Sequence, residues 1–323
     1  MENRASLKTA ARPAVPRWLA RAPGAFYLLA VMSVALTAWT PGFFTQANLT
    51  NVALQVAVLM MVSFGMTLVI LTEGIDLSLG PVLSLCGVCA GLLAVAGQGL
   101  WIAMLAAIAV GAGCGFANGL LIAVVGLPPF IVTLGVFGIA QSVATVLTGG
   151  ESVTNLPGYF RWFHTGELGS IPVPIWGMAA SFAATYVLLY HTRFGRYVFA
   201  IGGNRKALQL SGSPVNLYHV AVYVYAGLLA AGASFIMTAR MNSAHPTVGV
   251  GLEFDAIAAV ILGGTSFEKG RGSLVGTVVG ALSVGVLRNG LNLAGIGAEW
   301  QVASMGVVII GAVGLDSWRS LNA

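Results

Sequence analysis

Apolar runs separated by short polar segments extend along nearly the whole chain. A helix that crosses a membrane needs about 20 mostly apolar residues, and most of these runs have that order of length. The eighth run is the shortest and predicts a tilted or broken helix. The ten predicted spans are Ala25–Thr40, Val52–Thr72, Leu77–Ala96, Trp101–Val125, Phe130–Leu147, Pro174–Tyr190, Leu217–Thr238, Phe254–Thr265, Ser273–Leu287 and Val302–Leu315.

The composition supports this pattern and defines the fold class. Of 323 residues, 57% are hydrophobic and only 8% are charged, whereas a soluble domain carries about a quarter charged residues. Ten spans with short loops use the available length, so no soluble catalytic domain fits beside them. We therefore predict an all-α, multi-pass membrane protein. The 43 glycines are expected where membrane helices approach closely through small residues.

The positive charges divide unevenly between alternate loops, and this predicts the orientation. Ten spans place both termini on one side of the membrane. If that side is the cytoplasm, only Arg161, Arg240 and Arg288 lie outside, which leaves 12 of the 15 lysines and arginines inside. The positive-inside rule then places both tails in the cytoplasm. The predicted domains are a basic N-terminal tail, 1–24, a membrane domain, 25–316, and a short tail, 317–323.

Two loops are long enough to have functions of their own. The outer loop, from about Gly149 to Pro172, carries several aromatic residues that suit a membrane interface. The inner loop, from about His191 to Asn216, is basic and polar, and we expect a short helix in its middle, Asn204–Ser211.

Two regions of the chain look alike, which predicts an internal repeat. Asp76 precedes a glycine-rich span, and the pair Asn118-Gly119 follows it. Asp255 precedes a similar span, and Asn289-Gly290 follows that one. The two copies begin on opposite sides of the predicted membrane, as in transporters built from inverted repeats. The second to fifth spans would then match the seventh to tenth.

Polar residues inside or at the ends of the spans are the candidates for a transport pathway or gate. A polar side chain in hydrocarbon is costly and should face protein or a cavity, although hydrogen bonds between helices explain each one equally well. For Asp76 and Asp255, capping of a helix start is the simpler interpretation. The candidates are Glu73, Asp76, Asn118, Thr133, Gln141, Asp255, Asn289 and Asn292, with Gln55 and Thr67 as further polar positions.

No pattern of residues predicts catalysis or a cofactor. The sequence contains no GxxxxGK[ST] phosphate loop, no HExxH and no metal-spaced cluster. Cys86 and Cys89 form a CxxC without a second pair, so they and Cys114 are predicted to be buried, inert thiols. The positive charge is not arranged as a nucleic-acid-binding patch. We therefore expect no metal, no cofactor, no nucleic acid and no enzymatic activity.

Several ordered strings resemble the ribose-type ABC sugar permeases. Glu73-Gly-Ile-Asp-Leu-Ser-Leu-Gly80 is similar to their GGIDLSVG signature, and Leu127-Pro-Pro-Phe-Ile-Val-Thr-Leu-Gly135 is similar to a second motif. Further matches are Leu252–Thr265, Val286–Asn292 and Thr192–Arg196. The resemblance covers nearly all of the chain from about Phe43 onward. Glu73 departs from it, because the family pattern leads us to expect glycine there.

The resemblance implies a bacterial inner-membrane permease that works as a dimer with further subunits. These are a cytoplasmic ABC ATPase, which would hydrolyse ATP, and a periplasmic sugar-binding protein, which would deliver a monosaccharide such as a pentose. The residues expected to couple to the ATPase are Arg193, Arg196, Asn204, Arg205, Lys206, Ser211 and Gly212. The residues expected to face the binding protein are Arg240, Asn242 and His245.

Two other functions compete with this interpretation. An ion-coupled secondary transporter would use Glu73, Asp76 or Asp255 as coupling carboxylates. A membrane-embedded enzyme would turn over substrate as an isolated chain. The alternative for the basic inner loop is that its charges only obey the positive-inside rule.

Overall fold

A computed structural model describes residues 24–267 and 270–321, and these residues form a helical bundle with one small hairpin. The helices are α1 Gly24–Trp39, α2 Gln46–Leu71, α3 Leu79–Val95, α4 Leu100–Ala123, α5 Pro129–Thr148, α6 Gly158–Thr165, α7 Val173–His191, α8 Arg193–Leu210, α9 Val215–Met241, α10 Leu252–Leu262, α11 Leu274–Leu293 and α12 Ala298–Leu321. Strands β1, Glu167–Leu168, and β2, Ile171–Pro172, pair antiparallel with Leu168 opposite Ile171.

Each of the ten predicted spans coincides with one helix, but the helices differ in length. Within the described part of the chain, six of them, α2, α4, α5, α7, α9 and α11, are long and apolar enough to cross a membrane. Helix α3 is shorter, and the 11 residues of α10 extend about 16 Å at about 1.5 Å per residue. That is about half the thickness of a bilayer's hydrocarbon core. Ten complete crossings therefore remain a prediction.

The two long loops contain more structure than the sequence predicts. The outer loop holds α6 and the short β1–β2 hairpin, and the fold class is all-α as predicted. The inner loop holds α8, which starts at Arg193, well before the predicted Asn204–Ser211 helix. The backbone of Asn204 leaves the helical region with φ −164° and ψ 89°. Its side chain accepts a hydrogen bond from the Ala207 N–H at 2.9 Å, which caps the second part of α8.

The two predicted tails differ in what the structure describes of them. Residues 1–23 of the basic N-terminal tail lie outside the described residues, as do Lys269 and positions 322–323. Helix α12 continues to Leu321, so residues 317–321 are helical, and their place as a cytoplasmic tail stays a prediction.

Helices α2 and α9 form the core of the bundle. Side chains of α2 are buried without interruption from Val56 to Leu71. Helix α9 packs against α2, α3 and α4, and Tyr223 and Ala226 on it are fully buried. The close contact with α4 depends on glycine. A Cβ atom at Gly111 or Gly115 would meet a backbone carbonyl oxygen of α9, and one at Gly119 would meet the backbone of Val220.

These three glycines are four residues apart and so lie on one face of α4. Small residues at this spacing let two membrane helices approach until their backbones touch. A similar contact joins α10 to α11, where a Cβ at Gly276 would meet the carbonyl of Gly263 and one at Gly280 would meet that of Ala259.

Replacing Gly115 by alanine should destabilise the folded protein, because the new Cβ has no room against the carbonyl oxygen of Tyr223. Overpacking of this kind costs about 1–3 kcal/mol. We expect a lower midpoint of thermal unfolding for the purified chain in detergent.

Gly113→Ala is the matched control, since that glycine lies on the same helix and its new methyl group would meet no atom within 4 Å. It should leave the midpoint unchanged or raise it slightly. Equal midpoints for the two variants would contradict the proposed close contact.

Candidate functional site

Two non-helical stretches precede the short helices α3 and α10. Buried carboxylates lie within the first stretch and directly after the second. The stretch 72–78 joins α2 to α3 and contains Asp76, whose side chain is 1% exposed. The stretch 242–251 joins α9 to α10, and Glu253 and Asp255 lie in the first turn of α10, at 0% and 2% exposure. Charged groups are rarely buried in this way without a partner or a function.

Asp76 is the centre of a hydrogen-bonded cluster between α3 and α4. Its Oδ1 accepts from the Ser78 N–H at 2.9 Å and from the Ser78 hydroxyl at 2.6 Å. Asn118 Nδ2 donates to Ser78 Oγ at 2.9 Å and to Asp76 Oδ2 at 3.5 Å. Thr133 on α5 donates to the carbonyl of Ile75 at 3.1 Å. Three of the predicted pathway residues, Asp76, Asn118 and Thr133, are therefore brought together.

Glu73 lies beside this cluster, and its backbone adopts a left-handed conformation that is unfavourable for residues other than glycine. Its φ is +61°, and the N–H groups of Glu73 and Gly74 donate to the carbonyls of Ile70 and Val69 at the end of α2. This is the left-handed position after a helix that glycine normally occupies. Glutamate at position 73 is therefore expected to lower the stability of the folded protein relative to glycine.

The side chain of Glu73 lines a cavity of about 240 Å³, here called the Glu73 cavity. It is bounded by the ends of α2 and α4, the start of α5, and parts of α8 and α9. Its lining residues are Thr72, Glu73, Ile122, Gly126, Leu127, Pro128, Pro129, Ile201, Arg205 and His219. Helix α5 begins at Pro129 with Pro128 as its N-cap, as expected for a residue that lacks an N–H and favours helix starts.

Two buried groups beside the Glu73 cavity were not predicted to have a role. His219 is 2% exposed, and neither of its ring nitrogens has a hydrogen-bond partner among the described residues. The Tyr223 hydroxyl, which lies against Gly74, has no partner there either. The only sequence signal for both was their polarity within an apolar run.

Asp255 on α10 forms an ion pair with α11. Arg288 Nη2 lies 2.7 Å from both carboxylate oxygens of Asp255. Arg288 was predicted only as one of three outer charges and was not assigned to a site. The pairing depends on how α10 and α11 face each other, which a linear sequence does not give.

The Asp255–Arg288 pair lines a second cavity, of about 230 Å³, here called the Arg240 cavity. Two further predicted polar residues, Gln55 and Asn292, line it as well. Its complete lining is Gln55, Val56, Val58, Leu59, Met237, Arg240, Leu252, Asp255, Gly285, Arg288, Asn292 and Gln301. Five helices, α2, α9, α10, α11 and α12, thus contribute to one polar cavity.

Other pathway candidates bond between or within helices and do not line either cavity. Asn289 exchanges two hydrogen bonds of 2.9 Å with Asn48, which joins α11 to the start of α2. The hydroxyls of Thr67 and Thr277 lie 2.8 Å apart and join the same two helices. Among the described residues, Gln141 donates only to Thr145 on its own helix, at 3.4 Å.

The predicted coupling residues divide into exposed and internally bonded groups. Arg193, Arg196 and Lys206 are exposed on α8. Arg205, in contrast, donates to the Ala123 carbonyl at 2.8 Å and to Asn216 Oδ1 at 3.3 Å. Asn204 and Ser211 bond locally, and Gly212 provides the positive φ after α8.

The three residues predicted to face a binding protein also differ from one another. Arg240 lines the Arg240 cavity. Asn242 adopts φ +50° and ends α9, and His245 Nδ1 accepts from the Thr247 N–H at 3.2 Å. Within the described residues, no group of three or more His, Cys, Asp or Glu side chains is placed to hold a metal ion.

Comparison with known proteins gives the family. The family described as branched-chain amino acid transport system / permease component matches residues 48–313. The chain belongs to this family of transport permeases. The ribose import permease protein of Escherichia coli K12 is 42% identical over 304 residues, covering 93% of this chain and 94% of that protein. The ribose import permease protein of Bacillus subtilis 168 is also 42% identical, over 92% and 93% of the two chains.

A more distant relative and one solved structure extend the comparison. The D-allose transport system permease protein of E. coli K12 is 35% identical, over 91% of this chain and 90% of that protein. A structure described as an inward-facing conformation of a metal-chelate type ABC transporter matches with a TM-score of 0.53 and 13% identity. The match covers 94% of this chain and 100% of that one, and it shows a shared fold.

Replacing Glu73 by glycine should stabilise the protein by about 1 kcal/mol, because glycine adopts the positive φ at this position without strain. The measurement is the midpoint of thermal unfolding of the purified chain in detergent. Glu73→Ala is the control, since it removes the carboxylate but keeps the Cβ atom. If alanine raised the midpoint as much as glycine, the charge and not the backbone would be the source of the cost.

Proposed function

We propose that this chain is the membrane-spanning permease subunit of an ATP-driven importer for a monosaccharide. The supporting observation is its 42% identity, over more than nine-tenths of both chains, to proteins named as ribose import permeases. Relatives named for allose and fructose are 35% identical. An ion-coupled transporter using Glu73, Asp76 or Asp255 receives no support from these names.

The polarity of the cavities favours a sugar over a branched-chain amino acid, the substrate in the family's description. An aliphatic side chain would need an apolar pocket. The Arg240 cavity has apolar residues in its lining, but it also presents several amide and charged groups, from Gln55, Asn292, Arg240 and the Asp255–Arg288 pair. Such groups suit hydroxyls, which both donate and accept hydrogen bonds.

We infer ten crossings with both termini in the cytoplasm. Four long-range contacts join residues that this topology places on the same side. Asp76–Asn118 and Arg205–Ala123 would lie on the inner side, and Asn48–Asn289 and Asp255–Arg288 on the outer side. Five exposed tryptophans lie on the predicted outer side, which agrees with an aromatic belt at a membrane interface, although such belts form at both interfaces and do not set the orientation. They are Trp39, Trp101, Trp162, Trp176 and Trp300.

The inverted repeat also gains support from these contacts. In the first half, the carboxylate before a short helix bonds to Asn118 on the following helix. In the second half, Asp255 bonds to Arg288, the neighbour of the repeat-related Asn289. The two carboxylates thus bond to corresponding places on α4 and α11, at what would be opposite sides of the membrane.

In this scheme both cavities belong to the transport pathway, one near the periplasmic side of the membrane and one near the cytoplasmic side. The Arg240 cavity would receive substrate from a periplasmic binding protein that contacts the segment around Asn242 and His245. The Glu73 cavity would lie near the cytoplasmic exit. The exposed residues of α8 would dock on the ATPase, and a second permease copy would complete the membrane unit.

Uptake by reconstituted vesicles tests this function. Vesicles that contain the chain, its ATPase and its binding protein should accumulate labelled ribose only when ATP reaches the ATPase. Dissipating ion gradients should not abolish that uptake, and leucine should not compete with it. Gradient-driven uptake by the chain alone would instead identify a secondary transporter.

Replacing Arg193 and Arg196 together by glutamine should weaken binding of the ATPase by about tenfold. Each exposed ion pair contributes up to about 1 kcal/mol, and a tenfold change in affinity corresponds to about 1.4 kcal/mol. The measurement is the amount of ATPase that co-purifies with the chain.

Arg161→Gln is the control, because Arg161 is exposed on α6 on the predicted outer side. Arg205→Gln should behave differently and lower stability, since Arg205 bonds within the chain. Undiminished ATPase recovery with the double variant would argue against docking through α8.

A further inference from the structure

The Glu73 cavity has an exposed rim and a buried floor. Glu73, Gly126, Leu127 and Pro128 line it and are exposed, which places its mouth at the end of the bundle where α2 and α4 finish. His219 lines it as well, with only 2% of its surface exposed. A small molecule that enters through this mouth therefore meets a polar side chain at the bottom.

His219 is the observation that points to a ligand. Both of its ring nitrogens are buried, and neither has a hydrogen-bond partner among the described residues. Its ring packs beside Tyr223, with the ring centres 5.7 Å apart, but this contact satisfies neither nitrogen. A buried polar group without a partner is costly. The imidazole is therefore placed to bond to a molecule inside the cavity.

Two further polar groups line the same cavity from other elements. Arg205 on α8 contributes a guanidinium whose Nε is buried without a partner in the described part of the chain. The Glu73 carboxylate, at the end of α2, forms no hydrogen bond or ion pair with any described residue. One carboxylate and one guanidinium balance each other, so the charge of the lining does not select an anion or a cation.

The bonds that Arg205 already makes argue against an amino acid as the ligand. Its Nη2 donates to the Ala123 carbonyl at 2.8 Å and to Asn216 Oδ1 at 3.3 Å, which uses both protons of that nitrogen. A carboxylate pairs best with two parallel N–H groups of a guanidinium, and Nη2 is no longer free to supply one of them. The single N–H at Nε instead suits one hydroxyl oxygen.

The remaining walls and the volume suit a sugar. Apolar surface comes from Ile122, Pro129 and Ile201, against which the C–H groups of a sugar ring can pack. The volume of about 240 Å³ compares with about 30 Å³ for one water molecule in the liquid. Hydroxyls both donate and accept hydrogen bonds, so one sugar can satisfy an imidazole, a guanidinium N–H and a carboxylate together.

We propose that the Glu73 cavity is a binding site for a neutral monosaccharide on the cytoplasmic side of the membrane. The sugar hydroxyls bond to His219 at the floor, and to Arg205 Nε and the Glu73 carboxylate nearer the mouth. A chain with glycine at position 73 lacks the third of these contacts. This inference rests on the proposed import function, and it adds a place where the imported sugar is held at the inner end of the pathway.

Protection of a cysteine tests this binding, because it detects even a weak ligand at a chosen place. In a background with Cys86, Cys89 and Cys114 replaced by alanine, Leu127→Cys places a thiol at the mouth of the cavity. The measurement is its rate of reaction with a membrane-impermeant maleimide, in the purified full-length chain in nanodiscs. Ribose at about ten times its dissociation constant should slow the reaction about tenfold, since only the empty site reacts.

Variants assign the protection to His219. His219→Phe should remove most of it. Because the imidazole has no hydrogen bond among the described residues, the same variant should leave the midpoint of thermal unfolding unchanged or higher. His219→Gln keeps a donor and an acceptor and should retain part of the protection. Lys206→Cys, which is exposed on α8 outside the lining, is the control and should react equally fast with and without ribose.

Three outcomes would overturn the proposal: no slowing of Leu127→Cys by ribose, as for a cavity that holds only water, protection that survives His219→Phe, or leucine protecting as well as ribose. ATP-driven ribose uptake together with any of these would leave the import function standing. Failure of ATP-driven uptake with every sugar would remove the import function, whereas ribose protection that depends on His219 would still show the site.

Discussion

Inside a membrane every backbone N–H and C=O group needs a partner within the protein, because lipid offers none. This constraint explains why the two interrupted stretches of this chain are surrounded by other helices. At the first, Asp76 accepts the N–H of Ser78. At the second, Glu253 accepts the N–H of Gly251 and Ser84 accepts that of Gly249. Buried carboxylates and hydroxyls therefore make the short helices α3 and α10 possible, and the same groups give the bundle its polar interior.

Glycine residues are also needed, because they let the short helices and their neighbours approach until their backbones touch. Helix α3 and the stretch before α10 can approach each other only because Gly80 and Gly249 lack side chains, since a Cβ on Gly249 would meet the carbonyl of Gly80. The contact of α4 with α9 depends on Gly111, Gly115 and Gly119 in the same way. Close backbone approach, and not burial of large side chains alone, holds the core around α2 and α9. Because the short helices start inside the bundle, cavities remain beside them.

The positions of the ten main helices were predicted to within a few residues at most ends, because run length and apolar character decide where a membrane helix lies. Helix α6 was missed because its eight residues are too few for a helical pattern to stand out, and the first part of α8 was missed because it lies in a basic, polar loop. Asp255, Asn292 and Gln55 were found as polar residues in spans, but not as neighbours of Arg240 in one cavity. That grouping depends on how α2, α9, α10 and α11 face one another. The unusual Glu73 was found from the resemblance, whereas the positive φ that explains the usual glycine appears only in the structure.

The two cavities should open to opposite sides of the membrane, and residue accessibility tests this central claim directly. In a background with Cys86, Cys89 and Cys114 replaced by alanine, Thr247→Cys would report on the segment beside the Arg240 cavity and Lys206→Cys on α8. A membrane-impermeant thiol reagent added to intact cells whose outer membrane has been made permeable should label Thr247→Cys at once. It should label Lys206→Cys only after the inner membrane is disrupted. Labelling of both positions from the same side would contradict this arrangement.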